Sequence, residues 1–265
     1  MKPDAQHFSK VAPSLPAVCF TFDDNFSRHR NMIAPAFIER GFRCTFYINP
    51  GTSDFAPHMA GYKALLEQGF EIGSHGYVHD NLSVLEPAAT LENMQKAAQR
   101  IQAVFGVYPS TFAFPYHDYN DETLRMAQSL HLETRNLLAD SIWFAIKTAI
   151  PLSDMLTAVE QSITEKRPLV FSGHSVILTR EEATDESLKD ETGSNPILLS
   201  DLCALLDAIK ARSKQIQVLT FEQAALLACL RQNGRIDGDS YVVTQQLMDH
   251  LSQFLIDASR LNQLM

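Results

Sequence analysis

The first sustained hydrophobic run in the chain is AVCFTF, residues 17–22. It is unbroken by charge and rich in aromatic and β-branched residues, which predicts a buried strand. Comparable runs recur at 42–48 (FRCTFYI), 70–72 (FEI), 111–114 (TFAF), 168–173 (PLVFSG) and 217–220 (QVLT), and LETRNLL at 132–138 reads as one more strand. The stretches between them carry apolar residues at helical spacing. They predict helices over 31–40, 59–68, 87–105, 122–130, 153–165 and 197–212. The first of these stands despite Pro35 and stops at Gly41, the second closes at Gly69, and Pro87 opens the third, where a proline is well tolerated. Strands alternating with helices predict a parallel sheet with crossover helices. About seven such repeats predict a barrel, or a distorted one, in preference to an open sheet.

Three parts follow from this pattern: an N-terminal segment 1–16, a barrel over 17–230, and a linker with a C-terminal amphipathic helix over 231–265. In the last part, RQNGRIDGDS (231–240) reads as the linker, and Leu247, Leu251, Phe254, Leu255, Ala258 and Leu261 fall on one helical face. That face is expected to pack back on the barrel; a homo-oligomer contact is the second reading.

Composition narrows the partners. With 265 residues and 45% apolar content the chain can bury a core without disulfides. A net charge of −9 argues against nucleic acid or an anionic membrane as partner. The cysteines Cys19, Cys44, Cys203 and Cys229 form no CxxC pair and read as small buried hydrophobes. No stretch reaches transmembrane length, and the first residues hold no apolar run of signal-peptide length. A cytoplasmic location is therefore expected, provided that no leader has been trimmed.

The chemistry gathers at predicted strand ends. Asp23 and Asp24 follow the first strand, His75 and His79 follow FEIGS, and His174 follows PLVFSG. In parallel α/β barrels the loops at the carboxyl ends of the strands form the active site, so residues far apart in sequence converge there. Two imidazoles and one carboxylate with an open position make a catalytic site for zinc and similar ions. His75, His79 and Asp24 supply that set, and Gly73 and Gly76 give the loop tight bends. An HxxxH pair alone is explained as well by two surface histidines, and one Asp after a strand by a turn or a helix cap. Two acids directly after an apolar strand are harder to explain that way. A cation at Asp24 offsets one charge and lets Asp23 sit beside it, ready to take a proton from water.

TFDD (21–24) and SHGYVH (74–79) resemble the first two motifs of the NodB-like polysaccharide deacetylases, carbohydrate esterase family 4. FAFPYH (112–117) resembles their third motif, and SGHS (172–175) the histidine of their last; the likeness runs from about residue 17 to 225. The resemblance implies a distorted (β/α)7 barrel, a divalent metal such as zinc, or cobalt, nickel or manganese, and removal of an N-acetyl or related N-acyl group from an amino sugar or oligosaccharide. It implies Asp23 as general base, Asp24, His75 and His79 as metal ligands, the Tyr116 backbone N–H as oxyanion donor, and His174 as general acid.

Several positions depart from the family pattern. Ala113 stands where an arginine usually braces the base, His117 replaces a usual glycine, and Ser172 replaces a usual leucine. The aspartate that supports the last histidine is not evident; Asp140, with Trp143 nearby, is the candidate. These changes keep other readings open: a sugar deformylase, a hydrolase of a cyclic amide or ureide, or a non-catalytic carbohydrate-binding relative. The stretch TREEATDESLKDETGSNP, 179–196, is strongly acidic and reads as a solvated loop; if it lines the site it favours neutral or cationic substrates.

Overall fold

A computed structural model describes residues 11–12, 14–185, 195–233, 235–237 and 240–264. Strands β1 (Ala17–Asp23), β2 (Thr45–Ile48), β3 (Glu71–Ser74), β4 (Thr111–Phe112), β5 (Glu133–Thr134), β6 (Ile142–Ala145) and β7 (Leu169–Gly173) form one parallel sheet in the order β5-β4-β3-β2-β1-β7-β6. β1 lies inside the sheet between β2 and β7, and all seven of its residues are buried. This is the distorted (β/α)7 barrel: the sheet curls, but β5 and β6 remain its edges. A short parallel pair, β8 (Val176–Ile177) and β9 (Ile197–Leu198), follows β7, and β10 (Gln217–Leu219) pairs with the first residues of β1.

Helices α1 (Ala34–Glu39), α2 (Phe55–Glu67), α3 (Pro87–Phe105), α4 (Asp121–Leu130), α5 (Leu152–Glu165) and α6 (Leu199–Lys210) make the crossovers. The apolar faces of α1, α2, α3, α5 and α6 meet the sheet around Phe20, Phe22, Phe37, Phe46 and Phe171, and α4 packs in a separate cluster with Phe112 and Phe114. α3 has the expected bounds and ends on Gly106 at φ 77°, a conformation that glycine adopts without strain. Pro35 is accommodated because a π-helical turn, His29–Ile33, precedes it and α1 begins only at Ala34, so the proline occupies the first turn.

Other expectations need correction. The 132–138 run is a strand only at Glu133–Thr134 and then turns into a 3₁₀ segment, Arg135–Leu137. Ile142–Ala145, which the sequence pattern assigned to no element, is an edge strand whose residues are only partly buried or exposed, which hid its pattern. Beyond β10 lies α7 (Phe221–Asn233), and the expected linker holds an antiparallel pair, β11 (Arg235–Asp237) and β12 (Ser240–Val242). The single C-terminal helix is two, α8 (Gln245–Ser252) and α9 (Ala258–Leu264), broken near Leu255, whose φ is 56°. The break turns Leu255 outward and Ile256 inward. Leu247, Leu251, Phe254, Ile256 and Leu261 pack back against Phe221, Leu227 and Leu230 of α7, the arrangement the amphipathic face favours.

At the amino end of the strands a cavity of about 590 Å³ is lined by Glu71, Glu222 and Arg260 among others. Glu71 accepts from the Thr45 hydroxyl and the Glu222 backbone N–H, both at 2.7 Å, and from Thr111. Glu222 accepts from Arg260 of α9 at 2.6 Å, which ties the C-terminal tail to the barrel base. Burial and the nearby Glu222 push the Glu71 carboxyl up to about 7 from 4.5. The folded chain therefore keeps a proton there that the unfolded chain releases, and the stability this proton contributes is lost as pH rises from about 4.5 to about 7. A Glu71→Gln variant keeps the acceptor and cannot ionise. Its thermal midpoint is expected to fall less than that of the wild type between pH 5 and pH 8; parallel pH profiles would show that Glu71 does not retain the proton.

Candidate metal centre and active site

Asp23 ends β1, Ser74 ends β3 just before His75, and Gly173 ends β7 just before His174, so the parallel sheet delivers all three loops to one end. Asp24 has φ 71°, a left-handed conformation that costs a non-glycine residue some strain. Asp24 Oδ1 lies 3.6 Å from His79 Nε2 and 3.9 Å from His75 Nε2, and the three ligand atoms lie within 4.8 Å of one another. The loop between the histidines bends at Gly76, φ 80°, where a Cβ would stand 2.9 Å from Asn93 Oδ1. That amide oxygen accepts the Tyr77 N–H at 2.7 Å, and Asn49 Nδ2 donates to the His75 carbonyl at 2.5 Å.

These donors suit a divalent cation. The carbonyl of Ala113 can only accept, so His75 Nδ1, 2.7 Å away, carries the ring proton and Nε2 keeps its lone pair toward Asp24. Burial lowers the His75 pKa to about 3, and burial lowers that of His79 too, which keeps both rings unprotonated as ligands must be. Burial and the charge of Asp23 raise Asp24 to about 6. Among the described residues that carboxylate forms no ion pair with a lysine or arginine, and a cation would supply a positive partner.

Asp23 has such a partner already. Burial alone would raise its pKa, but the Arg135 guanidinium, ion-paired to Oδ1, holds it well below the usual carboxylate range. Arg135 is 1% exposed, lies with Cζ 5.4 Å from the Tyr47 ring centroid, and donates from Nη2 to His117 Nδ1 at 3.2 Å. This is the residue that sequence reading missed. Ala113 gives up the usual brace, and an arginine from the end of β5 reaches the same base from across the barrel. The signal was present in the rule that carboxyl strand ends carry the site. It was masked because the run 132–138 looked like one strand, which placed Arg135 in its middle.

His174 is half-buried at the same end, close enough to influence the ionisation of Asp23, Asp24 and His117. Tyr116 and His117 are consecutive left-handed residues, φ 59° and 55°, so His117 takes a conformation for which glycine is the easier choice. The Tyr116 ring packs against His79 with centroids 4.5 Å apart, and Trp143 meets His117 edge-on at 5.3 Å. Asp140 is not brought to the site. It precedes β6, at the amino end of the sheet, and pairs with Arg167 at 3.1 Å, so it cannot support His174. The acidic stretch is only partly visible: Glu182 accepts from Arg28 at 2.6 Å, and 186–194 lie outside the described residues.

A polysaccharide deacetylase family model matches residues 10–134, just under half of the chain, including Asp23, Asp24, His75 and His79. Over those residues the chain is similar to the polysaccharide deacetylases. A chitin deacetylase from Arthroderma benhamiae is 24% identical over 140 residues, 51% of this chain and 38% of the relative. The chain thus spans about two fifths of the length of the curated relatives it matches. The solved structure of the peptidoglycan deacetylase PdaC from Bacillus subtilis superposes with a TM-score of 0.55 at 18% identity, covering 84% of this chain and 96% of that one. A carbohydrate esterase family 4 pseudoenzyme from Bacillus anthracis superposes with a TM-score of 0.53 at 14% identity, covering 80% and 66%. These structures share the polysaccharide deacetylase fold with this chain.

Proposed function

We propose that this polysaccharide deacetylase relative is a metal-dependent hydrolase that removes an N-acetyl, or related N-acyl, group from an amino sugar or oligosaccharide. The observation that carries the reading is the Asp24–His75–His79 cluster beside an Asp23 kept ionised by Arg135. Asp24, His75 and His79 would hold a divalent cation, zinc or else cobalt, nickel or manganese. When bound, it would lower the pKa of water to about 7 and polarise an amide carbonyl. Asp23 accepts the proton of the attacking water, and the ion pair with Arg135 keeps its carboxylate charged and oriented. The Tyr116 N–H donates to the developing oxyanion, and His174 protonates the departing amine, which leaves poorly without that proton. Tyr116 and Trp143, 62% and 46% exposed, offer ring faces on the rim for a sugar.

The feature favouring a non-catalytic reading is the arginine missing at Ala113; the ion pair of Arg135 with Asp23 supports the catalytic one. The sugar deformylase and the cyclic amide or ureide hydrolase share this machinery and differ only in product. One screen separates them: acetate from N-acetylglucosamine oligomers, formate from an N-formyl sugar, and ring opening of a cyclic ureide, each with added zinc or cobalt. Acetate release is expected. Asp23→Asn should then lower turnover by at least ~100-fold with metal retained, the scale of one lost general base. Unchanged turnover would remove Asp23 from the mechanism.

A further inference from the structure

His174 sits on a segment whose backbone is gripped from behind. The His174 carbonyl accepts from His29 Nε2 at 2.6 Å, the Ser175 carbonyl from the Ile197 N–H at 3.0 Å, and the Val176 carbonyl from Arg28 Nη1 at 3.0 Å. Three consecutive carbonyls are thus occupied, and two of the donors are neighbouring side chains at the entry to the π-helical turn after β1. Arg28, 5% exposed, also bonds Glu182 at 2.6 Å, and Glu182 accepts the Leu178 N–H at 3.2 Å. His29 is fully buried, stacked on Phe46 with ring centroids 4.9 Å apart.

The direction of these bonds is fixed by chemistry. A carbonyl only accepts, so His29 Nε2 carries the proton; its Nδ1 then accepts from the Tyr62 hydroxyl at 3.0 Å. Arg30 lies over the Tyr62 ring, its Cζ 4.9 Å from the centroid, and holds that phenol in place. Burial lowers the His29 pKa to about 3, in keeping with a neutral ring that has one donor and one acceptor. A neutral buried histidine with both nitrogens bonded inside the protein is not a reacting group.

We infer that Arg28 and His29 are positioning residues: they clamp the backbone of the His174 segment and so aim the His174 imidazole at the substrate end of the site. This rests on His174 as the general acid proposed above. A displacement of about 1 Å at a reacting group can cost ~100-fold in rate, so a clamp on its backbone is a kinetic device as well as a structural one.

His29→Phe keeps the stack on Phe46 and deletes both hydrogen bonds; His29→Gln can donate to the carbonyl and accept from Tyr62. The Phe variant is expected to lose about 10- to 100-fold in kcat, with KM and bound metal near wild type. The Gln variant should recover most of that loss. Independently of any substrate, the NMR signal of the His174 ring should be single and sharp in the wild type, split or broadened in His29→Phe, and restored in His29→Gln. Should His29→Phe fail to fold, Arg28→Met carries the same NMR expectation. An unchanged His174 signal in a folded clamp variant, or a Gln variant no better than Phe, would overturn the clamp. Full turnover in His174→Ala would instead remove the acid role of His174 and leave the NMR result to judge the clamp alone.

Discussion

Arg135→Met is expected to cost the protein about 3–5 kcal/mol of folding stability, the usual consequence of stripping one partner from a buried ion pair. The reason lies in what remains. Asp23 is 2% exposed, and without the guanidinium it must either stay charged in an apolar surround or take up a proton. Protonation would disable it as a base, so turnover should fall by about 100-fold in the protein that still folds. Arg135→Lys should recover little, because one ammonium cannot reproduce contacts to Asp23, Thr21 and His117 from one planar group. Urea denaturation of Arg135→Met, Asp23→Asn and the double variant gives the decisive cycle. The double variant should be less destabilised than the sum of the singles, since removing both charges leaves neither unpaired. Additive losses would show that Arg135 does not act through Asp23.

Much of this site was legible before any coordinates. Buried strands of a parallel sheet are near-continuous apolar runs, so β1, β2, β3 and β7 stood out, and the acids and histidines that follow them were marked by position. Local pattern failed where tertiary context decides. β6 is a half-exposed edge strand with no alternating face to read. β5 ends at Thr134 because Arg135 turns inward to Asp23, a partner 112 residues away that no local window contains. Asp140 shows the opposite error: it lies close in sequence to Trp143, yet the strand it precedes carries it to the far end of the sheet and to Arg167. The break near Leu255 likewise escaped periodicity, since the residues on either side keep helical spacing while the backbone between them does not.

His75→Ala is expected to abolish stable metal binding. His75 is the buried ligand of the set, 1% exposed, with its ring fixed by the Ala113 carbonyl and its Nε2 facing Asp24. Its loss leaves one carboxylate and one half-buried imidazole, a set too sparse for a tight site. Even the loss of a group that merely orients a ligand costs 10- to 100-fold in affinity, so the loss of the ligand itself should exceed ~100-fold and remove turnover with it. The stability of the metal-free fold should change far less than in Arg135→Met, because the buried ion pair of Asp23 with Arg135 stays intact.

Elemental analysis after dialysis against zinc or cobalt, on wild type, Asp23→Asn and His75→Ala, puts the matter most directly. One ion per chain in the first two and none in the third is the expected result. A wild-type protein that retains no ion, or a His75→Ala variant that retains as much as the wild type, would contradict a metal centre at Asp24, His75 and His79.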